Sequence, residues 1–436
     1  MAMTIASDFK ATGVSDVIVV VKPQALASIP DTQLSASTGP DAIFRHFVQS
    51  DLSHDAELIK LLNAEGLTHV GRGATPPTTA AALGATTIPP SPARFYPHLG
   101  VALGTVDRDG LAGLRKEASV AKIVPAPELS LIRPVAAFPK KPSTGYSWGL
   151  KRLGIDRLHQ KKLDGKGVLI GHLDTGVDAS HPALKGAVHS FAEFDALGSL
   201  VPNAPWVDSD SHGTHTAGTI AARPVGNVQF GVAPGAQLAS AMVIEGGRVI
   251  ARILAGMDWV VGQRVRILSM SLGLRGTGDA FLLLTRILRR KGVLPVFAVG
   301  NEGAGMSRFP GNYAEALSVG AVDGHDRVAD FSSSQRFLRK VDSIVPDIVA
   351  PGVEVASCVP GGYAALSGTS MATPHIAGLA ALLMQAAPEA TIDAVESAIF
   401  LSSRRPPGMI EDRANRGVPD GVAALEILQS GHALAA

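Results

Sequence analysis

Five apolar runs separated by helical patterns constrain the fold of this chain more than any other feature. The runs are continuous rather than alternating, which is typical of strands that are buried on both faces. Strands of this kind, alternating with helices, predict an α/β fold whose mostly parallel sheet has helices on both faces. The runs lie at residues 168–173, 237–244, 267–272, 293–299 and 317–322.

Polar or small residues follow three of the predicted strands. Asp174 comes directly after the run at 168–173, and Asn301 follows the run at 293–299. A third segment, Ser271 to Gly273, closes the run that begins at Ile267. Because active sites of open α/β sheets gather at the carboxyl ends of the strands, we expect these three segments to converge on one edge.

The length and the charge of the chain limit its organisation and its partners. With 436 residues the chain suits two domains better than one. The formal net charge is +1, and the sequence has no long basic run. Bulk electrostatics therefore argue against a nucleic acid or an anionic membrane as a partner. No stretch approaches the roughly 18 apolar residues that a membrane-spanning helix needs.

A single cysteine and a short early apolar run bear on the compartment. Cys358 stands alone, so an internal disulfide framework is excluded, and a small apolar core residue is favoured over a nucleophile. The apolar run at 17–21 is too short for the core of a signal peptide. A cytoplasmic location is the default expectation, with non-standard secretion left open.

The first 130 residues have a different pattern from the rest. The order of their elements, strand–helix–strand followed by strand–helix–strand, predicts a small α+β domain of the ferredoxin-like type. Residues 73–92 are rich in Ala, Thr and Pro and predict a flexible excursion. The expected strands lie at 17–21, 100–105 and 120–124, and the expected helices at 41–52, 55–65 and from the N-cap Asp107 to Ala118.

Three segments carry the chemistry. The sequence GTSMATPH at 368–375 places Ser370 on a tight glycine turn at the start of a helix that we expect to be buried. Upstream, Asp174 lies in LDTG and His212 lies in DSHGTH. An aspartate, a histidine and a serine in this order are the components of a serine nucleophile with a general base and an orienting acid.

All three segments resemble the subtilisin-like serine proteases, the subtilases of peptidase family S8. The resemblance extends from Tyr146 to about Leu428 and includes GVPDGV at 417–422. The segment at 117–125 resembles the end of a subtilase propeptide, although this match is weaker than that of the catalytic motifs. The alternative is that residues 1–130 form an unrelated N-terminal domain. The implied organisation is a propeptide-like domain at 1–130, a linker at 131–145 that is open to cleavage, and a catalytic domain at 146–436.

The resemblance implies a serine endopeptidase that is made as a zymogen and hydrolyses peptide bonds through an acyl-enzyme. Ser370 would be the nucleophile, His212 the general base and acid, and Asp174 the orienting acid. The N–H of Ser370 and the side chain of Asn301 would form the oxyanion hole. The N-terminal domain would act as an intramolecular inhibitor and chaperone. The implied substrate-binding residues are Ser271, Leu272, Gly273, Gly300 and Arg308.

Other histidines and a further strand are assigned by the same resemblance. His215 and His375 occupy motif positions that serve packing and hydrogen bonding. His172 stands where the family has an apolar residue, and we expect it to be a satisfied core or edge histidine. The strand at 240–244, which ends at Gly246 and Gly247, resembles an edge to which a substrate adds as a β-strand.

Two departures from the family pattern concern calcium and specificity. A family calcium site uses an aspartate where this chain has Ala183, and the partnering loop at 223–227 lacks an obvious oxygen ligand at Val225. We therefore predict no cofactor and no metal at that position. Arg308 replaces a small residue at the floor of the specificity pocket. It would favour an acidic substrate residue, be neutralised by Glu302, or extend into solvent.

Two rival functions remain open at the level of the sequence. A transpeptidase or macrocyclase would keep the fold and pass the acyl-enzyme to a peptide amine. A binding or regulatory protein would keep the three catalytic residues and never release its N-terminal domain. The presence of Asn301 beside the complete set of three favours the protease, because a binding protein needs none of the four.

Overall fold

The structure is a computed structural model of the 436-residue chain. It describes Ile5, Phe9 and residues 12–27, 40–48, 93–244, 249–340 and 342–435, with side chains to residue 431. The helix expected at 55–65, the excursion expected at 73–92 and the glycines at 246 and 247 lie outside the described residues.

The chain divides into two compact units. The first comprises Met1–Glu128, Phe194–Leu200 and Glu245–Asp258, and the second comprises Leu129–Glu193, Val201–Ile244 and Trp259–Ala436. The segment predicted as a linker, 131–145, therefore belongs to the second unit, where it contributes short strands.

The first unit contains an antiparallel sheet of four strands in the order β2-β3-β1-β4. A ferredoxin-like domain has this strand order. Val17, Val19 and Leu114 lie in its core, because alternate residues of β1 face the helices. The elements are β1 (Ser15–Val21), α1 (Pro23–Ala27), α2 (Asp41–Phe44), β2 (Arg94–Tyr96), β3 (Val101–Val106), α3 (Arg108–Leu114) and β4 (Val120–Pro125).

The helix α3 begins as its sequence predicts. The side chain of Asp107 accepts a hydrogen bond from the Gly110 N–H at 2.7 Å, which satisfies one of the free donors of the first turn. The helix ends at Leu114, four residues before the predicted end at Ala118, and Gly113 in its last turn disfavours a longer helix.

The second unit is built on a parallel sheet of seven strands in the order β19-β16-β14-β12-β8-β11-β9. This sheet confirms the predicted α/β class. The two outermost strands, β9 and β19, were not predicted, because their runs are short or interrupted by polar residues. The strands are β8 (Leu169–Asp174), β9 (Val188–Glu193), β11 (Gln237–Met242), β12 (Ile267–Met270), β14 (Leu294–Ala298), β16 (Leu317–Val322) and β19 (Ile348–Pro351).

Short strands and helices complete the chain. The short strands are β5 (Ser130–Leu131), β6 (Ala136–Pro139), β7 (Gly145–Tyr146), β10 (Val228–Gln229), β13 (Leu272–Arg275), β15 (Arg308–Phe309), β17 (Gln335–Arg336), β18 (Ile344–Val345), β20 (Val355–Val359) and β21 (Gly362–Ser367). The helices are α4 (Trp148–Arg152), α5 (Ile155–Gln160), α6 (His212–Ala221), α7 (Val249–Gly262), α8 (Leu282–Arg290), α9 (Thr369–Ala386), α10 (Ile392–Ser402), α11 (Glu411–Ala414) and α12 (Gly421–Ala435), with a 3₁₀ turn at Pro182–Leu184.

Two helices of small residues lie in the core of the second unit. Every residue of α6 is buried, and so is every residue of α9 from Thr369 to Met384. Their first turns bring His212 and Ser370 to the sheet. None of the helices that the structure describes has the length and apolar character required to cross a membrane.

The prediction of a substrate-binding edge at 240–244 is wrong for residues 240–242, which belong to an interior strand. Ser240 pairs with His172 of β8 on one side and with Phe191 of β9 on the other. An interior strand has no free main-chain groups to offer a substrate.

Candidate active site

Asp174 and His212 come together where β8 ends and α6 begins. The His212 Nδ1 lies 2.6 Å from the Asp174 Oδ1, and both side chains are almost completely buried. The same oxygen accepts the Thr175 N–H at 2.8 Å, and the second oxygen accepts the Thr216 hydroxyl at 3.0 Å. These contacts fix the carboxylate on both of its oxygens and assign the Nδ1 proton to the histidine.

Burial and pairing act in opposite directions on this couple. Burial favours the neutral form of each group, so on its own it would lower the pKa of His212 and raise the pKa of Asp174. The charge of each partner and the hydrogen bond between them prevail. The pKa of His212 is raised and the pKa of Asp174 is lowered from their ordinary values. The carboxylate therefore stabilises the imidazolium that a general base must become.

The hydroxyl of Ser370 does not donate to His212. It donates to the main-chain carbonyl of Ile132 at 2.7 Å. The Nε2 of His212 is buried and has no hydrogen-bond partner among the described residues. A base that faces the cleft without a partner is available to the serine once the hydroxyl turns away from Ile132.

Asn301 presents its amide to the same cleft. Its Oδ1 accepts both the N–H and the hydroxyl of Thr369 at 2.9 Å, so its Nδ2 must face the other way. The Nδ2 donates to the carbonyl oxygen of Arg133 at 2.8 Å. An amide held in this orientation before the reaction is what an oxyanion hole requires.

The protein's own segment Leu129–Arg133 occupies the cleft like a substrate strand. In β5, Ser130 and Leu131 pair antiparallel with Gly273 and Leu272 of β13. The pairing continues with the Ile132 N–H, which donates to the Ser271 carbonyl at 3.0 Å. The predicted substrate-binding residues Ser271, Leu272 and Gly273 therefore bind main chain of the protein itself.

The chain beyond Arg133 is also held. The Val135 N–H donates to the Ser367 carbonyl at 2.8 Å, and β6 pairs with β21 in an antiparallel register. The Arg133 side chain extends into solvent and lies 3.2 Å from the Asp210 carboxylate. The predicted linker thus forms strands on both sides of Ser370, because unpaired strands of the catalytic unit provide partners for its main chain.

The similarity of this chain to known proteins includes the residues of this site. The sequence profile described as the subtilase family matches residues 165–421, which include Asp174, His212, Asn301 and Ser370. The chain belongs to the subtilase family of serine endopeptidases.

Three relatives illustrate the extent of the similarity. Subtilisin Savinase of Lederbergia lenta is 39% identical over 245 residues, which are 55% of this chain and 85% of that protein. Subtilisin E of Bacillus subtilis (strain 168) is 33% identical over 302 residues, 67% of this chain and 72% of that protein. M-protease of Shouchella clausii (strain KSM-K16) is 39% identical over 245 residues, 55% of this chain and 60% of that protein.

The charge of Arg308 is neutralised by Glu302. Its guanidinium contacts the Oε1 of Glu302 through Nε at 2.8 Å and through Nη2 at 2.6 Å, and only 9% of the residue is exposed. Its Nη1 donates to the Gly273 carbonyl at 3.1 Å and the Ser130 hydroxyl at 3.2 Å. Of the three arrangements considered from the sequence, the structure has the one in which Glu302 pairs with the arginine.

Gly300 makes room for this pair. Its φ is +118°, and a Cβ at this position would lie 2.5 Å from the Glu302 Oε2 and 3.2 Å from the Arg308 Cγ. Only glycine adopts such a backbone conformation readily. Burial raises the pKa of the Glu302 carboxyl, but hydrogen bonds and charge from Arg308 outweigh it, so the pKa is lowered and the carboxylate stays ionised.

The remaining motif histidines and the cysteine are core residues. The His215 Nε2 lies 2.9 Å from the Val355 carbonyl, and the His375 Nδ1 lies 2.8 Å from the Met371 carbonyl. Burial lowers the pKa of His215 to about 3 and that of His375 to about 4, so both stay neutral. Cys358 is buried, and its pKa is raised to about 12, which is unsuited to a nucleophile.

Arg223, in the loop at 223–227 that would partner a family calcium site, binds main-chain carbonyls through its side chain. Arg223 donates to the carbonyls of Ala236 at 2.9 Å, Gly186 at 2.8 Å and Ala221 at 3.2 Å, and to that of Pro234. The described part of the chain contains no group of three or more His, Cys, Asp or Glu residues that could hold a metal ion.

Sequence reasoning missed Asp208, which organises the loop before α6. One of its oxygens accepts the Thr175 hydroxyl at 2.7 Å, and the other accepts the N–H and the hydroxyl of Thr214, both at 2.6 Å. These bonds connect the residue after Asp174 to the first turn of the helix that carries His212. The available signal was a second aspartate two positions before Asp210, just outside the DSHGTH motif.

Proposed function

We propose that the chain is a serine endopeptidase made as a zymogen, with Leu129–Arg133 as its first substrate and its inhibitor. One observation supports this most strongly. Ser370 and Asn301 contact two successive carbonyls of the segment, those of Ile132 and Arg133. The N-terminal unit would be the propeptide, because it is joined directly to the segment that fills the cleft.

The scissile bond of this proposal is Ile132–Arg133. The main-chain pairing of β5 with β13 ends at the Ile132 N–H, and the Ile132 side chain is completely buried. Arg133 extends toward Asp210, and 74% of its side chain is exposed. The next bond, Arg133–Pro134, has proline as its leaving residue. The contact of Asn301 with the Arg133 carbonyl makes that bond the alternative.

The reaction at Ile132 uses the Asp174–His212 couple as it stands, whereas the Asn301 amide must move from the Arg133 carbonyl to the Ile132 carbonyl. The Ser370 Oγ attacks the Ile132 carbonyl carbon while His212 takes the hydroxyl proton, and Asp174 stabilises the imidazolium. The Asn301 Nδ2 and the Ser370 N–H bind the oxyanion at the helix N-terminus. His212 then protonates the Arg133 nitrogen as the C–N bond breaks, and water hydrolyses the ester. The bound hydroxyl must first leave the Ile132 carbonyl oxygen, which keeps the segment inhibitory.

For other substrates we propose extended peptides with an apolar residue before the cleaved bond. Glu302 and the Gly273 carbonyl already satisfy the charge and the donors of Arg308, so an acidic residue gains little from this arginine. Main-chain pairing with β13 reads few side chains, which suits broad specificity. We also propose that no metal or cofactor takes part, since the polar groups described above supply every step.

The test uses the full chain and its Ser370→Ala variant. Intact mass, N-terminal sequencing and labelling with a fluorophosphonate are measured on both proteins. We expect the unmodified chain to lose an N-terminal piece, to begin at Arg133 and to take one label on Ser370, and the variant to stay intact and unlabelled. A new terminus at Pro134 would move the scissile bond by one residue.

Three other outcomes contradict the proposal. A full-length chain that takes no label supports a regulatory protein whose cleft is never released. Cleavage that persists in Ser370→Ala assigns the cut to another protease. Products of a defined peptide that carry an added amine, rather than water, support a transpeptidase.

A further inference from the structure

A second histidine is buried behind the catalytic couple. His172 lies on β8, two residues before Asp174, and 1% of its side chain is exposed. Its Nδ1 lies 2.9 Å from the Ser240 hydroxyl, and its Nε2 lies 2.8 Å from the Thr216 hydroxyl. Both ring nitrogens are therefore satisfied, as expected from the sequence for a core histidine. Because one of its two partners is Thr216, His172 is connected to the catalytic couple.

Thr216 connects His172 to the catalytic aspartate. The Thr216 Oγ1 lies 3.0 Å from the Asp174 Oδ2, and the His172 Nε2 lies 3.7 Å from the same oxygen. The other oxygen of Asp174 is occupied by His212 and the Thr175 N–H. The two histidines thus lie on opposite oxygens of one carboxylate.

The proton positions follow from counting donors. A threonine hydroxyl has one proton, and its distances to the carbonyls of His212 and Gly213, 3.2 and 3.1 Å, exceed its distance to the carboxylate. A charged acceptor is also the stronger one. The Thr216 proton therefore goes to Asp174, the His172 Nε2 donates to the Thr216 oxygen, and the Ser240 hydroxyl donates to the His172 Nδ1. Every donor in this chain of bonds points toward the carboxylate.

We propose that His172 is a positioning residue that acts through Thr216 on the second oxygen of Asp174. It weakens the attraction of this carboxylate for the His212 imidazolium. This inference rests on the proposed function, since it assigns a role within the same catalytic couple. Without donors on its second oxygen, this buried carboxylate would be compensated only by His212 and the Thr175 N–H, and it would attract the His212 proton more strongly.

Burial, rather than the surrounding charges, keeps His172 in its neutral form. On β8 it faces Asp174, and on α6 it faces His212, while Asp208 and Asp210 act on His212 from the preceding loop. The flanking strands β11 and β12 place Ser240 and Ser269 beside it, without a charged side chain at that level. Burial lowers the pKa of His172 and prevails over the Asp174 carboxylate, which raises it, while a charge on His212 lowers it further. The proton is therefore held by His212, and His172 remains a neutral donor.

Two matched pairs of variants test the proposal. His172→Phe keeps an aromatic ring without a donor, whereas His172→Gln keeps a donor at the distance of the ring Nε2. Thr216→Val keeps the shape without the hydroxyl, whereas Thr216→Ser keeps the hydroxyl. Kinetics are measured against pH on the protein prepared from the full chain, with active sites counted by a fluorophosphonate.

We expect the Phe and Val variants to shift the acidic limb of kcat/KM to higher pH and to lower kcat on the order of 10-fold, with KM unchanged. The Gln and Ser variants should restore both values. If all four variants lose thermal stability without any movement of the acidic limb, His172 is a packing residue and the proposal fails. A shift to lower pH would also overturn it.

A second measurement does not depend on turnover. In full-length Ser370→Ala labelled at its histidines, NMR titration of His212 should give a higher pKa when His172→Phe is added and the original value with His172→Gln. An unchanged His212 pKa in the Phe variant contradicts the proposal even if the protein is not a protease. If the Phe variant does not fold, the Thr216→Val and Thr216→Ser pair gives the same decision.

Discussion

Ser370 and Ile132 share a hydrogen bond of 2.7 Å in which the nucleophilic hydroxyl donates to a carbonyl oxygen of the protein's own chain. The same proton would have to point toward His212 for attack. The Asp174–His212 contact at 2.6 Å is already formed. In the self-cleavage that we propose, the barrier would therefore include a rotation of the hydroxyl but no rearrangement of the base.

Asn301→Leu should lower the rate of peptide hydrolysis by about 10²–10³-fold, with little change in KM. Thr369 orients the Asn301 amide so that its Nδ2 donates into the cleft, and a donor placed there contributes more as negative charge develops on the oxygen of the attacked carbonyl. Steady-state kinetics on a peptide substrate measure the effect.

Thr369→Val is the matched control for that variant. It removes the hydroxyl bond to the Asn301 Oδ1 and leaves the Thr369 N–H and the Nδ2 donor in place. A smaller loss of turnover is expected. Turnover near the original value in Asn301→Leu would show that this amide does not bind the oxyanion.

The positions of Asp174 and Asn301 could be predicted because they depend on local rules. Each follows an apolar run, and parallel strands bring their carboxyl ends to one edge. The buried helix at His212 follows from its small residues in the same way. Strand β9 could not be predicted, since the polar residues of 188–193 conceal a strand that is defined by its partner β11.

The occupied cleft could not be predicted, because residues 129–133 have no sequence pattern of their own. Their position depends on unpaired groups of β13, more than 130 residues away in the chain, and tertiary pairing of this range has no local signal. The contact of His172 with Thr216 is a further example. The sequence indicated a buried histidine, while its link to Asp174 depends on which helix packs on β8.

Glu302→Gln should change the pocket preference toward acidic residues. Glu302 binds Arg308 through two bonds and also lies 3.1 Å from Arg275, so removing its charge leaves the buried guanidinium without an anion. A carboxylate on the substrate would then form a charge-assisted pair with Arg308. Cleavage of a peptide library by the variant and the unmodified protein measures the change.

Arg308→Gly combined with Glu302→Gln is the control for that experiment. It removes both members of the pair and should favour larger apolar residues without any gain for acidic ones. An unchanged preference in Glu302→Gln would show that the substrate side chain does not reach Arg308.

Asp347→Asn should flatten the dependence of stability on pH. Asp347 is 2% exposed, and burial raises its pKa from 3.8 to about 8 although the Ser318 N–H donates to it at 2.8 Å. An acid with a raised pKa stabilises the fold while it is protonated. This stability is fully present below pH 3.8 and is lost as the pH rises toward 8.

The free energy of unfolding should therefore fall less with rising pH in Asp347→Asn than in the unmodified protein. It is measured by urea titration from about pH 4, just above the unfolded pKa of 3.8, to about pH 9, above the folded pKa of about 8. Asp412→Asn removes a carboxylate whose side chain is 63% exposed and should leave the slope unchanged. Parallel curves for all three proteins would contradict the burial argument.

Arg223→Met should lower the free energy of unfolding by about 1.5–3 kcal/mol, because the guanidinium donates to main-chain carbonyls that would otherwise lack these partners. Arg223→Lys keeps the charge but not the planar fork, so it should recover only part of the loss.

Thermal unfolding of the unmodified protein, with added calcium and with a chelator, tests whether a metal contributes to stability. For the unmodified protein we expect the same unfolding midpoint with calcium and with the chelator. The Arg223 guanidinium already binds the carbonyls around the loop at 223–227, which would partner a family calcium site. A midpoint that rises strongly with calcium would contradict our proposal that the protein needs no metal.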